Sequence, residues 1–187
     1  MYPTDLRTRL AGALEPAPRH VAAPGDRLAS VLVPILEGST VLFTKRTAHL
    51  PRHPGEISFP GGIRHDADRD AAATALRETE EELGIPPSSI ELLGALPPLH
   101  TFVSSILIVP FVGLLEPRPL LRPNEGEIAE VLEYPLDALV AAETTVEWRR
   151  ERGVYRGYAY EMGDQTIWGA TAMILHAFLE LARREVA

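Results

Sequence analysis

The sequence predicts a mixed α/β (α+β) fold, with helices covering a sheet of mixed strand direction. Three observations predict it. Short β-like runs lie on both sides of one strongly marked central helix. A second long helix closes the chain. No internal repeat or low-complexity tract suggests a different architecture.

The elements follow in order. Thr4 can cap a short amphipathic helix that carries Leu6, Leu10 and Leu14 on one side. The Pro/Gly/Ala-rich stretch from Glu15 to Gly25 is the one linker-like segment. Residues 1–25 therefore read as an N-terminal helical arm and linker, and residues 26–187 as the main domain. Leu28–Leu36 and Thr40–Thr44 are β-like runs, and the short turn Glu37-Gly38-Ser39 between them predicts a hairpin. A loop with two prolines and two histidines, Ala48–Gly55, leads to a short strand at Ile57–Phe59 and then to Pro60-Gly61-Gly62. The central helix runs from about Asp70, its N-cap, to Leu83. Gly84 supplies a left-handed stop, and Pro86-Pro87 prevent continuation. Further strands are expected at Ile90–Leu96, Ile106–Leu115, Ile128–Tyr134, Thr144–Arg149 and Val154–Tyr160. Pro135 opens a short helix through Val140, and a final helix spans Ile167–Arg184.

Composition bounds the function. The 187 residues suit one main domain of ordinary globular make-up, 45% hydrophobic and 24% charged. Cysteine is absent, which excludes disulfides, thiol nucleophiles and cysteine-ligated metals and fits a reducing compartment. The net charge of −8 argues against sequence-independent nucleic-acid binding. An anionic substrate would need a local counter-charge, and a bound divalent cation is the obvious source. The longest apolar stretch, Phe102–Leu115, is broken by Ser104, Ser105 and Pro110 and falls short of the ~20 residues of a membrane helix. The expectation is a cytoplasmic protein with no membrane or nucleic-acid partner.

The segment Arg77-Glu78-Thr79-Glu80-Glu81-Glu82-Leu83-Gly84-Ile85 carries the chemistry. At ~100° per residue, Ala72, Ala75, Leu76, Thr79 and Leu83 form the core-facing stripe. Glu78 and Glu82 lie one above the other, Glu81 is next to them, and Glu80 points away to solvent. Like charges four apart repel, and negative charge near a helix C-terminus is unfavourable. A hard divalent cation such as Mg²⁺ reverses that balance, because it takes carboxylate oxygens.

Together with Phe59-Pro60-Gly61-Gly62 and the acidic loop holding Asp66 and Asp68, this segment resembles the motif of the Nudix hydrolases. The Arg-Glu…Glu-Glu…Gly half matches residue for residue, except for Thr79 where an aliphatic residue is usual. In the first half, one extra loop residue brings Gly62 and Asp68 into the roles of the family's Gly and early Glu. Residues 42–62 resemble the additional motif of the coenzyme A pyrophosphatase branch: Thr44, Gly55 and Phe59–Gly62 match. Thr47 replaces a serine, and Pro51 stands where the motif has arginine, with Arg52 beside it. Asn124, Glu127, Pro135-Leu136 and Ile167–Ala172 are similar to that branch as well.

The resemblance implies a Nudix-type α/β/α sandwich with a mixed β-sheet, and residues 26–187 as the Nudix hydrolase domain. It implies hydrolysis of a diphosphate with Mg²⁺ or Mn²⁺, held by Glu78 and Glu82 with Glu81 completing the site. Glu81, Glu127 and Arg77 are the catalytic candidates. Glu127 is the first choice for a base on a later loop and Glu125 the second, and Arg77 fixes a box glutamate. Lys45 (the sole lysine), Arg46, Arg52 and Arg64 are candidates for the substrate's phosphates, and Gly61 and Gly62 allow close backbone approach. The expected reaction cleaves coenzyme A or its thioesters to 3′,5′-ADP and 4′-phosphopantetheine. Two alternatives stay open. One is a Nudix diphosphatase for ADP-ribose, NADH or nucleotides; the other is a non-catalytic Nudix-fold binding module. The partner is a small-molecule substrate, and the protein is a monomer or homodimer.

Overall fold

The computed structural model describes residues 3–16, 23, 25–37, 39–51, 53–101, 105–150 and 153–183. The elements in order are α1 (Pro3–Ala13), β1 (Arg27–Leu36), β2 (Thr40–Arg46), β3 (Ile57–Ser58), β4 (Gly61–Ile63), α2 (Ala71–Leu83), β5 (Glu91–Ala95), β6 (Leu99–Thr101), β7 (Ile106–Leu115), β8 (Ile128–Pro135), α3 (Leu136–Ala142), β9 (Glu143–Arg150), β10 (Gly153–Met162), β11 (Gln165–Ile167) and α4 (Gly169–Arg183). Arg52 and most of the 15–25 linker lie outside the described residues.

The main sheet runs β3-β2-β1-β7-β5, with β4 on β1, β6 on β7 and β8 on β2. Its direction is mixed: β1 and β7 are parallel from Arg27↔Ile106 to Leu36↔Leu115, and the other pairs are antiparallel. The hairpin β1–β2 forms as its turn predicts, with Ile35 opposite Val41. A second, antiparallel sheet, β11-β10-β9, shares no strand pairing with the first and packs into the same core through Tyr160 and Ile167.

Both faces of the central strands are covered, which explains their near-continuous apolar sequence. Side chains alternate between two cores. On one face Leu32 joins Ala75, Val109 and Phe111, and Leu36 joins Leu42, Leu83, Ile85 and Leu115; this is the α2 side. On the other, Val33, Ile35, Val41, Phe43, Val112 and Leu114 meet Leu175, Phe178 and Leu179 of α4. The result is a sheet between helical layers, as expected.

Four elements differ from the sequence expectation, the first being β6, a strand at Leu99–Thr101 that no sequence pattern announces. α1 already includes Thr4 in its helix, so Thr4 does not stand before it as a cap. α4 begins at Gly169, because residues 165–167 pair with β10 as a strand. Gly61–Ile63 is a strand on β1, although Gly-Gly carries no alternating pattern to announce one.

The arm is packed into the domain. Leu6 and Leu10 are fully buried and Leu14 nearly so, in the same core as α4. Glu15 and Ala95 exchange backbone hydrogen bonds of 3.2 and 2.7 Å. Gly94 makes the approach possible, since a Cβ there would stand 2.7 Å from Leu14 Cβ. Leu10→Ala is therefore expected to destabilise the whole domain by about 2–5 kcal/mol in urea unfolding, the usual cost of emptying a buried leucine site. A change near zero would mean that the arm is an independent appendage.

Candidate metal centre and active site

The site is built where β4 meets α2. β4 pairs with β1 through Ala29↔Ile63, Ser30↔Gly62 and Val31↔Gly61. Position 61 requires glycine, and a side chain on Gly62 would displace the Glu78 carboxyl. A Cβ on Gly61 would fall 2.4 Å from the Ser30 carbonyl oxygen, and one on Gly62 would fall 2.5 Å from Glu78 Oε1. The Glu78 carboxyl thus lies directly against the Gly62 backbone.

α2 is fixed at both ends by the residues the sequence points to. Asp70 Oδ1 accepts from the Ala73 N–H at 2.8 Å. Gly84 adopts φ 67° and donates its N–H to the Glu80 carbonyl at 2.8 Å. Thr79, where an aliphatic residue is usual, is buried; its hydroxyl is satisfied by donation to the Ala75 carbonyl at 2.7 Å.

Arg77 is the hub. Its guanidinium clamps Asp68 with Nε–Oδ1 at 2.9 Å and Nη2–Oδ2 at 3.0 Å. Nη1 reaches Glu78 Oε1 at 2.8 Å and Glu81 Oε2 at 3.0 Å, and Nη2 reaches the Ile63 carbonyl at 3.3 Å. Asp68 is buried and also accepts from Thr74 Oγ1 and the His65 N–H. These donors, Arg77 above all, hold its carboxyl well below the usual range. Gly62 abuts Glu78, and Asp68 takes Arg77; these are the two positions that one extra loop residue brings into the motif.

Glu82 differs from its neighbours. The helical count keeps it off the core stripe, yet it is only 4% exposed. The loop before β8 closes over this end of α2: the Asn124 N–H donates to the Glu82 carbonyl at 2.9 Å, and the Arg122 N–H to that of Leu83 at 2.8 Å. Glu82 Oε2 is buried with no hydrogen-bond partner. Its nearest cation is Arg46, with Nη1 4.0 Å from Oε1. Burial pushes the Glu82 carboxyl up to about 8; the charges of Glu78 and Glu127 add to the effect, and Arg46 and the Gly61 backbone N–H oppose it. Burial also raises Glu78, against the pull of Arg77.

The other candidates take varied places. Glu81 and Glu127 are exposed. Glu127 stands near enough to Glu82 to disfavour its ionisation, and Asn124 Nδ2 donates to Glu127 Oε1 at 3.4 Å. Lys45 is turned to Glu130, 3.9 Å away, and Arg64 donates to the Asp68 carbonyl at 3.2 Å. Glu80 is exposed. His65, which sequence reasoning did not single out, lies close enough to Glu78 to favour its ionised form. Its place directly after Arg64, in the loop between β4 and α2, was the available signal.

The donor set suits a hard divalent cation: carboxylate oxygens, one of them buried and unpaired. It is not a finished cage. Among the described residues no three His, Asp or Glu side chains converge at metal-ligand spacing, and Arg77 occupies Glu78 and Glu81. No described helix is long and apolar enough to cross a membrane.

Comparison with known proteins places this geometry in context. Residues 26–156 match the model of the NUDIX domain. The chain is 40% identical to a Nudix hydrolase NudL of Pectobacterium atrosepticum, over 92% of this chain and 90% of that one. It is 38% identical to the protein of the same name from Escherichia coli K12, over 80% and 79%. Among solved structures, the E. coli ORF135 protein aligns with a TM-score of 0.54 at 16% identity, covering 92% of this chain and 94% of that one. A MutT NUDIX hydrolase from Burkholderia pseudomallei aligns with a TM-score of 0.52 at 19% identity, covering 81% and 97%. The structural matches speak to the fold.

Proposed function

The chain belongs to the NUDIX domain family and is a Nudix hydrolase, and from that premise we propose that it cleaves the diphosphate of coenzyme A or acyl-CoA in a reaction dependent on Mg²⁺ or Mn²⁺. The observation that carries the metal-dependent chemistry is Glu82, a buried carboxylate with an unpaired oxygen beside Glu78. Glu82 and Glu78 would hold the cation, with Glu81 completing the set. When bound, such a cation polarises phosphoryl oxygens and makes a water more acidic.

The chain's own groups divide the remaining work. A water oxygen bonds to phosphorus, the P–O–P bridge breaks, and a carboxylate takes the water's proton. Glu127 is the first candidate for that base, with Glu81 as the alternative on α2. Arg77 holds Glu78 and Glu81 in one orientation through its two Nη1 contacts. Arg46, Lys45 and Arg64 supply positive charge for the substrate's phosphates, and Gly61 and Gly62 keep the backbone low beside Glu78.

Support for coenzyme A comes from residues 42–62, which match the branch motif at Thr44, Gly55 and Phe59–Gly62. The test is product chromatography. Purified protein meets coenzyme A, ADP-ribose, NADH and dGTP in parallel, with Mg²⁺, Mn²⁺ or EDTA. The expected result is EDTA-sensitive release of 3′,5′-ADP from coenzyme A ahead of all other products. Turnover of ADP-ribose, NADH or dGTP with coenzyme A left intact would overturn the substrate assignment and point to Pro51 as the mark of a changed specificity.

A further inference from the structure

Two side-chain atoms beside the carboxylate row are buried without partners: Glu82 Oε2 and Arg46 Nε. Their residues face each other, with Arg46 Nη1 4.0 Å from Glu82 Oε1. A closed charge-assisted hydrogen bond would bring such a pair to about 2.7–2.9 Å. The backbone accounts for the placement. The register of β2 on β8 shifts between Lys45 and Arg46, and the Arg46 N–H donates to the Glu56 carbonyl at 3.0 Å. Strand alternation puts Arg46 on the face of β2 that Leu42 turns to α2, and Lys45 on the opposite face. Lys45 goes to Glu130, and Arg46 goes to the buried carboxylate of α2.

An unused buried acceptor and an unused buried donor at one spot need opposite ligands. The carboxylate oxygen suits a cation, and the guanidinium N–H suits an anion. A cation-chelated diphosphate brings both. We infer that Arg46 exchanges partners during the reaction cycle: it stays against Glu82 while no cation is bound, and turns to a phosphoryl oxygen of the substrate once a divalent cation takes Glu82. This inference rests on the diphosphatase reading above and assigns Arg46 a role distinct from those of Lys45 and Arg64.

The exchange has a consequence that a plain phosphate-binding or structural arginine lacks. Arg46 competes with the cation but helps the substrate, so its removal moves the two affinities in opposite directions. The test uses electron paramagnetic resonance of free Mn²⁺, without substrate, on the wild type, Arg46→Gln, Arg46→Lys and the surface control Arg156→Gln. The Michaelis constant for coenzyme A is measured on the same proteins. Measured at pH 9 without oxygen, where no proton competes for Glu82, Arg46→Gln is expected to bind Mn²⁺ at least about threefold more tightly, because a positive charge leaves the ligand's side. Its KM should rise at least about tenfold with loss of the guanidinium fork. Arg46→Lys keeps the charge and loses the fork, so its Mn²⁺ affinity should stay near wild type while KM rises. Arg156→Gln should change neither quantity.

Unchanged or weaker Mn²⁺ binding in Arg46→Gln would overturn the inference. So would an equal tightening in Arg156→Gln, or an unaltered KM in Arg46→Gln. If the wild type binds Mn²⁺ but leaves coenzyme A intact, the substrate reading fails. The Arg46 inference is then decided on inorganic diphosphate binding to the Mn²⁺-loaded proteins, where Arg46→Gln must bind it more weakly than the wild type.

Discussion

Glu82→Gln is expected to lower kcat by about 10³-fold while leaving the protein folded, a loss in the range seen when a group acting on transition-state charge is removed. Glu80→Gln, two residues away on the exposed side of α2, should be nearly silent. Glutamine keeps the shape of the glutamate and removes its charge. Stability should move the other way. In cation-free protein the Glu82 carboxyl is raised to about 8 from the ordinary 4.5. A raised folded-state pKa stabilises the fold fully below the unfolded value, and that contribution is lost as pH rises through the folded one. Metal-free wild type should therefore lose stability between pH 4.5 and 8 from this group, and Glu82→Gln should not. Urea unfolding in EDTA at pH 5 and pH 8 measures the difference. Equal losses of turnover in Glu82→Gln and Glu80→Gln, with both folded, would contradict the assignment of the helix face.

Arg77→Gln is expected to reduce turnover by at least about a hundredfold, since two candidate carboxylates lose the group that orients them. It also leaves buried Asp68 facing a neutral partner. Removing one member of a buried pair costs on the order of 3 kcal/mol, and the partial exposure of Arg77 places this case at the lower end. Arg77→Lys should recover little of either property. One ammonium cannot reproduce the two-point clamp on Asp68 together with the contacts to Glu78, Glu81 and Ile63. Thermal unfolding and steady-state kinetics on both variants decide this. Full activity in Arg77→Lys would mean that only a positive charge is needed there.

Much of this architecture is legible in the chain because its signals are local. The ends of α2 are written in Asp70 and Gly84, and both caps form. The long strands β1, β7 and β10 announce themselves by apolar and β-branched runs. What escapes is short or non-local. β4 and β11 are three residues each and form because a neighbouring strand offers pairing. The burial of Leu6 and Leu10 depends on α4, far away in sequence. At the site, the row of Glu78 and Glu82 follows from helical spacing. The burial of Glu82 does not, because the groups around its carboxyl, Arg46 of β2 among them, lie far away in sequence. Arg46 appears in the sequence as one of several nearby cations. Its place on β2, on the same face as Leu42, separates it from Lys45 and turns it to Glu82.

In the proposed reaction the Glu78/Glu82 row of α2 holds a divalent cation. Anomalous X-ray scattering from Mn²⁺-soaked crystals of the wild type and Glu82→Gln tests it most directly. An anomalous peak is expected within bonding distance of the Glu82 and Glu78 carboxylates in the wild type, with its loss or marked weakening in Glu82→Gln. A peak bound by other residues, or one unaffected by Glu82→Gln, would contradict it.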